Sequence, residues 1–262
     1  DAWVKQIKSE LRRKYRLITM DLRGMGDSDK PTDPNQYISP LLADDVDAVL
    51  TSFGVERVVL VAHSYAAAAA VPYMLISNLF LGTNKVAGFV AIAPAHAGVS
   101  GLNVTPDALN LFVSQFSLVD EAFIQSNKDF ITMSYAPQKA PKGEAKDILA
   151  ADLIVPGSVR LAILTAPAVV PPGFVEGFLS GLVTTYGIKT LFIYGQEDKV
   201  LITSSFEYLH GLVAGSQIIS YPNQGHLLMF SNREVFNQDL MNFVDSLHLS
   251  GSDYDNDEYD DE

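Results

Sequence analysis

Short uncharged apolar runs recur along the chain, and a different periodicity follows each of them. Val58 to Ala62, Val86 to Pro94, Leu191 to Gly195 and Ile218 to Tyr221 are such runs. A run of this length covers both faces of a strand, which suits a parallel strand held between two helical layers. Helical spacing fills much of the rest. Trp3, Val4, Ile7 and Leu11 line one side of an amphipathic helix, with Lys5, Lys8 and Arg12 opposite. Arg16 to Leu22 then alternates as a further strand. Ser39-Pro40 starts a helix, a capping serine before a proline in the first turn. Leu41, Leu42, Val46, Val49, Leu50 and Phe53 form its buried stripe, and Gly54 closes it. Ala66 to Ala70 predicts another helix, since alanine has the best helix propensity. Val235, Leu240, Phe243, Val244 and Leu247 predict a last one that covers the sheet.

Strands alternating with helices give an α/β architecture with a mostly parallel sheet flanked by helices. The rhythm breaks at 98–185, where strand patterns vanish and short helical patterns take over. Phe112, Phe116, Phe123, Phe130 and Tyr135 stand out there, among prolines at 137, 141, 156, 167, 171 and 172. This stretch reads as a helical cap inserted into the core, with an ordinary run of core helices as the alternative. The expected division is core 1–97, cap 98–185, core 186–250 and a disordered acidic tail 251–262. There is no internal repeat.

Composition narrows the partners. The net charge is −13 over 262 residues. Seven of the ten residues from Asp253 to Glu262 are acidic, so the rest of the chain carries only −6. A negative balance argues against nucleic acid, whose phosphates require lysine and arginine. Cysteine is absent, which excludes disulfides, thiolate nucleophiles and cysteine metal sites but does not decide the compartment. The longest apolar candidate, Leu153 to Val170, holds Arg160 and two prolines, so no membrane span is expected. The expectation is a soluble protein of undecided location, with the cytoplasmic reading favoured. The chain opens with Asp rather than Met, so targeting stays open, as does the oligomeric state.

Ser64 is the most informative position. It lies between the strand Val58 to Ala62 and the alanine-rich helix, where a sharp strand-to-helix turn thrusts a serine hydroxyl above the sheet. Asp198 follows the strand Leu191 to Gly195, and His226 follows the strand Ile218 to Tyr221, after Gly225. Serine, acid and histidine in that order, each just past a strand end, fit one chemistry. A serine hydroxyl is a poor nucleophile at neutral pH. A histidine must take its proton, and a carboxylate must hold that histidine in the right tautomer. Glu197 rivals Asp198 as the carboxylate. Ala95 to Gly101 contains no carboxylate, which strengthens Asp198. His63 reads as packing or hydrogen-bonding locally, and His96, His210 and His248 as structural or exposed. Gly24-x-Gly26 lacks the third glycine of a nucleotide loop, since residue 29 is Asp. Asp21 and Arg23 read as a brace for that loop. No histidine and carboxylate cluster has metal-ligand spacing, and neither metal nor cofactor is expected.

With these residues in hand, nearly all of 1–250 resembles the α/β-hydrolase superfamily in its cap-bearing branch. Asp21-Leu22-Arg23-Gly24-Met25-Gly26-Asp27-Ser28 is similar to the family's D-x-R-G-x-G-x-S segment. Gly195-Gln196-Glu197-Asp198 is similar to its acid loop and Gly225-His226 to its histidine loop. The elbow departs from G-x-S-x-G: Ala62-His63-Ser64-Tyr65-Ala66 has alanine at both glycine positions. The resemblance implies that the first three strands, and the loop that gives one of two oxyanion donors, are missing from this sequence. The chain then reads as a fragment of a longer hydrolase or as a degraded homologue, and the opening Asp favours the fragment. The resemblance gives the remaining donor to the Tyr65 N–H.

The activity it implies is that of an esterase-like serine hydrolase. Ser64 attacks a small, largely apolar carbonyl substrate (an ester, lactone, thioester or C–C bond) and forms an acyl-enzyme. His226 is the general base and Asp198 the orienting acid. The alternative is a non-catalytic protein of this fold that binds a ligand or partner, or an inactive truncated homologue.

Overall fold

The structure, a computed structural model, describes residues 2–67, 82, 85–95, 97–98, 101–117, 119–167, 181 and 185–249. Four of the apolar runs form one sheet of parallel strands. They are β1 (Val58–His63), β2 (Val86–Ile92), β5 (Lys189–Gly195) and β6 (Gln217–Tyr221), in the order β1-β2-β5-β6. Between β2 and β5 a two-stranded antiparallel pair, β3 (Ala97–Gly98) and β4 (Gly101–Leu102), sits apart from the sheet.

Successive side chains of a strand point to opposite faces, and both faces here are covered. Phe89 and Ala91 of β2 and Phe192 of β5 face one cluster, which includes Ala43 and Leu50 of α3 (Ser39–Ser52). Val90, Ile92, Leu191 and Ile193 face the other, with Phe236, Leu240 and Phe243 of the C-terminal helix (Arg233–Ser246). Ile92 and Ile193 have no exposed surface, and burying a side chain of this size stabilises by about 1.5–3 kcal/mol. Gly88 lets the C-terminal helix lie close, since a Cβ there would come within 2.8 Å of Leu247.

The register decides where the site forms. His63 pairs with Ile92, Ile92 with Ile193, and Ile193 with Ile219. All four strands therefore end at one rim, where open parallel sheets carry their ligand crevices.

Several expectations need correction. Arg16–Leu22 is not a strand: among the described residues no strand pairs with it, and alternation without a ladder partner does not make one. The N-terminal helix is two short pieces, α1 (Val4–Ile7) and α2 (Leu11–Lys14). They part at Ser9, whose hydroxyl bonds the Gln6 carbonyl and accepts from the Leu11 N–H, in competition with the helix. Ser39 is the first residue of α3 rather than its cap, and Phe53 is half exposed under the Arg16 guanidinium instead of joining the buried stripe. Val235 is exposed, and Phe236 takes its place in the core.

Helices lie between 106 and 164: α4 (Pro106–Ser114), α5 (Asp120–Tyr135), α6 (Lys142–Leu153) and α7 (Gly157–Leu164). Phe112 and Phe130 join the first two, with ring centroids 5.0 Å apart. Most of the alanine-rich stretch after Ser64, part of 98–185 and the acidic tail lie outside the described residues.

Candidate active site

Ser64 follows the last residue of β1 and has φ +52°, a left-handed backbone that side-chain-bearing residues rarely adopt. Its N–H donates to the Ile92 carbonyl (2.9 Å), and its own carbonyl accepts from Ala67 and Ala95. The chain thus turns sharply out of the sheet, and Tyr65 opens the next helix. Strain at one residue costs about 1–3 kcal/mol and persists only where the surroundings fix it. Ala62 and Ala66 both pack into the face shared with Phe89 and Phe192.

Asp198 lies three residues past β5, in a loop whose shape its own carboxylate sets. Oδ1 accepts the N–H groups of Val200 (2.8 Å) and Leu201 (2.9 Å). Oδ2 faces His226 Nδ1 at 2.8 Å. Burial pushes the Asp198 carboxyl up, but the adjacent imidazole and the three hydrogen bonds outweigh burial and hold it below the ordinary carboxylate range. An ionised carboxylate only accepts, so His226 carries its proton on Nδ1. In the neutral ring Nε2 is then the acceptor, and it lies 3.0 Å from Ser64 Oγ. The three side chains form one hydrogen-bonded line, with His226 and Asp198 almost wholly buried. Glu197 does not join it; its side chain pairs with Lys199 near solvent.

Two glycines make this convergence possible. A Cβ on Gly195 would lie 2.3 Å from the Gln224 carbonyl oxygen, so the acid and histidine loops touch backbone to backbone. A Cβ on Gly225 would lie 2.0 Å from the Ala136 carbonyl, just past α5. That side is also tied by the Leu227 N–H, which donates to the Ser134 carbonyl (3.0 Å).

Tyr65 N–H, at the first position of its helix, has no intrahelical acceptor and no acceptor among the described residues. It is next in the chain to Ser64 Oγ. The Tyr65 phenol is pushed up to about 12, by burial first and then by Tyr37, and stays neutral. His63 is partly buried, and its ring lies 4.6 Å from that of His226. His210 bonds Ser216 away from this rim, and His248 lies just past the C-terminal helix; His96 lies outside the described residues.

The 21–28 loop braces itself rather than joining the line. Asp21 accepts the Asp27 N–H, and Gly26 leaves room for that carboxylate at a positive φ. Arg23 grips both oxygens of Asp45 (2.9 and 2.7 Å). Asn103, unmarked in the sequence, is buried and donates to Pro94 O and Ser205 Oγ. Its carbonyl accepts from Ile202, so it clasps the β2 exit to the acid loop. Only the fold brings these segments together, and no local pattern marks the residue. Among the described residues no three His, Cys, Asp or Glu side chains converge as metal ligands, and no described helix is long and apolar enough to cross a membrane.

A model of the alpha/beta hydrolase family matches residues 1–239. A non-heme haloperoxidase from Rhodococcus erythropolis is 24% identical over 94% of this chain and 88% of its own. An esterase from Rhodococcus sp. ECU1013 superposes with a TM-score of 0.80 at 24% identity, over 94% of this chain and 86% of that one. A bromoperoxidase from Bacillus anthracis superposes with a TM-score of 0.76 at 19% identity, over 93% and 87%. At these identities the two structures share the fold.

Proposed function

The chain belongs to the alpha/beta hydrolase family, and we propose that within it this protein is a serine hydrolase for small, largely apolar carbonyl substrates. The observation that carries the reading is the 3.0 Å contact between Ser64 Oγ and His226 Nε2, with Asp198 holding the far side of the ring. Ser64 Oγ attacks the carbonyl carbon while its proton passes to His226 Nε2. The carbonyl electron pair moves to oxygen, and the Tyr65 N–H donates to that oxyanion. Collapse breaks the bond to the leaving group, which takes the proton from His226, and leaves an ester on Ser64. Water repeats the sequence and frees the acid. Asp198 stays ionised and stabilises the imidazolium formed in each half. The protein takes a small-molecule substrate.

The substrate class rests on the helices between β2 and β5, which we take as a cap over the Ser64 rim. Phe112 and Phe130 pack against the core cluster that includes Ala93, the residue that follows β2 at that rim. Such a lining favours hydrocarbon next to the carbonyl over charge.

Pre-steady-state hydrolysis of a p-nitrophenyl ester tests the reading. A burst of about one p-nitrophenolate per chain, absent in Ser64→Ala, is expected when deacylation is slower than acylation. A folded protein with no turnover of any short ester or thioester points instead to a binding role.

A further inference from the structure

His63 is a partly buried histidine at this rim to which the proposed reaction gives no task. It ends β1, so its backbone is fixed by the ladder to Ile92, and it is bonded directly to Ser64. Its Nε2 lies 3.0 Å from the main-chain oxygen of His226, and its ring lies against the His226 ring, tilted by 51°. A carbonyl oxygen only accepts, so the His63 proton must sit on Nε2. Among the described residues, the titratable groups that act on His63 are the His226 imidazole and the Asp198 carboxylate.

Taking it that Ser64 and His226 react as proposed above, we propose that His63 is a positioning residue, which sets the height of the His226 main chain and with it the gap from Nε2 to Ser64 Oγ. Several hydrogen bonds tie the main chain of the histidine loop to other segments. The acid loop reaches it through the Glu197 N–H on Gln224 O (2.9 Å), the end of α5 through Ser134 O on the Leu227 N–H, and Gln138 through its side-chain amide on Asn223 O (2.9 Å). His63 adds a further tie, and it alone of these comes from the strand that carries the nucleophile. It therefore links the two ends of the proton transfer by the shortest path, one peptide bond on one side and one hydrogen bond on the other. A hydrocarbon side chain fills the same volume without the donor. His63 also has to remain neutral, because a cation there would oppose the positive charge that His226 gains from Ser64. Burial first, and then His226 itself, push it down to about 3, while the bond to His226 O and the Asp198 charge act in the opposite sense.

The experiment compares His63→Gln, His63→Asn and His63→Leu in the full chain, with an ester substrate and with the far-downfield proton resonance of the His226–Asp198 hydrogen bond. Glutamine carries an amide N–H about where Nε2 lies, asparagine stops short of it, and leucine has none. Expected is kcat within about threefold of wild type for Gln. For Asn and Leu kcat falls about 10–100-fold with KM within about twofold, as for a small misplacement of a reacting group. The downfield resonance stays sharp in Gln and is broadened or lost in Asn and Leu. Asn and Leu variants with wild-type kcat and resonance overturn the proposal, as does a Gln variant that falls as far as Leu. If Leu does not fold, the Gln–Asn pair decides. If the wild type turns over no ester, the hydrolase reading fails by itself, and the resonance in the same variants still decides whether His63 positions the ring.

Discussion

Replacing Asp198 by asparagine keeps the shape of the acid loop and removes only its charge. The asparagine oxygen still accepts the Val200 and Leu201 N–H groups, at 2.8 and 2.9 Å in the parent. Its NH2 then faces His226 Nδ1, where Oδ2 stood at 2.8 Å. Two donors cannot bond, so the imidazole moves its proton to Nε2 and turns a donor toward Ser64. The nucleophile then has no base. In serine proteases the same exchange lowers kcat about 10⁴-fold, which at about 1.36 kcal/mol per tenfold is roughly 5.5 kcal/mol of transition-state stabilisation. We expect Asp198→Asn to lose about 10³–10⁴-fold in kcat with KM changed far less. Stability falls too, because hydrogen bonds to a charged acceptor contribute about 1.5–3 kcal/mol each against about 1 for neutral ones. A net loss of about 2–3 kcal/mol should lower Tm by about 5–10 °C in a chain of this size. The assay is ester hydrolysis well below that Tm, with circular dichroism to show a folded variant. A folded Asp198→Asn with kcat/KM within tenfold of wild type refutes the orienting role.

The same carboxylate makes stability depend on pH. Its folded-state pKa lies below the unfolded value of about 3.9, so its contribution is complete above about pH 5 and is lost as pH falls through the folded value. Urea melts from pH 7 to pH 3 should show a steeper loss for wild type than for Asp198→Asn; equal slopes would contradict the shift. Gly225→Ala should lower both Tm and kcat, since its Cβ meets the Ala136 carbonyl at 2.0 Å, and a variant with unchanged melting would show that this contact yields. Ser64→Gly should be about 1 kcal/mol more stable than Ser64→Ala, because alanine keeps the cost of φ +52° and glycine does not; equal urea midpoints would mean that the elbow is unstrained. Ile193→Val should cost about 1 kcal/mol at this fully buried position, read from the shift in urea midpoint at constant slope.

Much of this fold can be read locally. β1, β2, β5 and β6 are apolar on both faces because helices cover both faces, so each is a continuous run that stands out in the sequence. Ser64, Asp198 and His226 could be nominated because each comes just after such a run, and parallel strands that end in register deliver their exit loops to one rim. Local pattern failed where pairing decides. Arg16–Leu22 alternates as a strand does, yet strand formation needs a partner that no residue within the segment specifies. The short β3–β4 pair has only two residues on each side, too few for a periodicity. Spacing alone places Phe53 and Val235 in buried stripes, yet both lie near helix ends and are exposed. The Asn103–Ser205 and His63–His226 contacts have no local signature, since the partners lie about a hundred or more positions apart along the chain.

The central claim is that the Ser64 hydroxyl is the activated nucleophile. Treating the folded chain with a fluorophosphonate and measuring its intact mass, with peptide mapping, tests this directly. One phosphonyl adduct per chain, located on Ser64 and absent in Ser64→Ala, is the predicted result. A folded protein that gains no adduct, or gains it equally in Ser64→Ala, would contradict it.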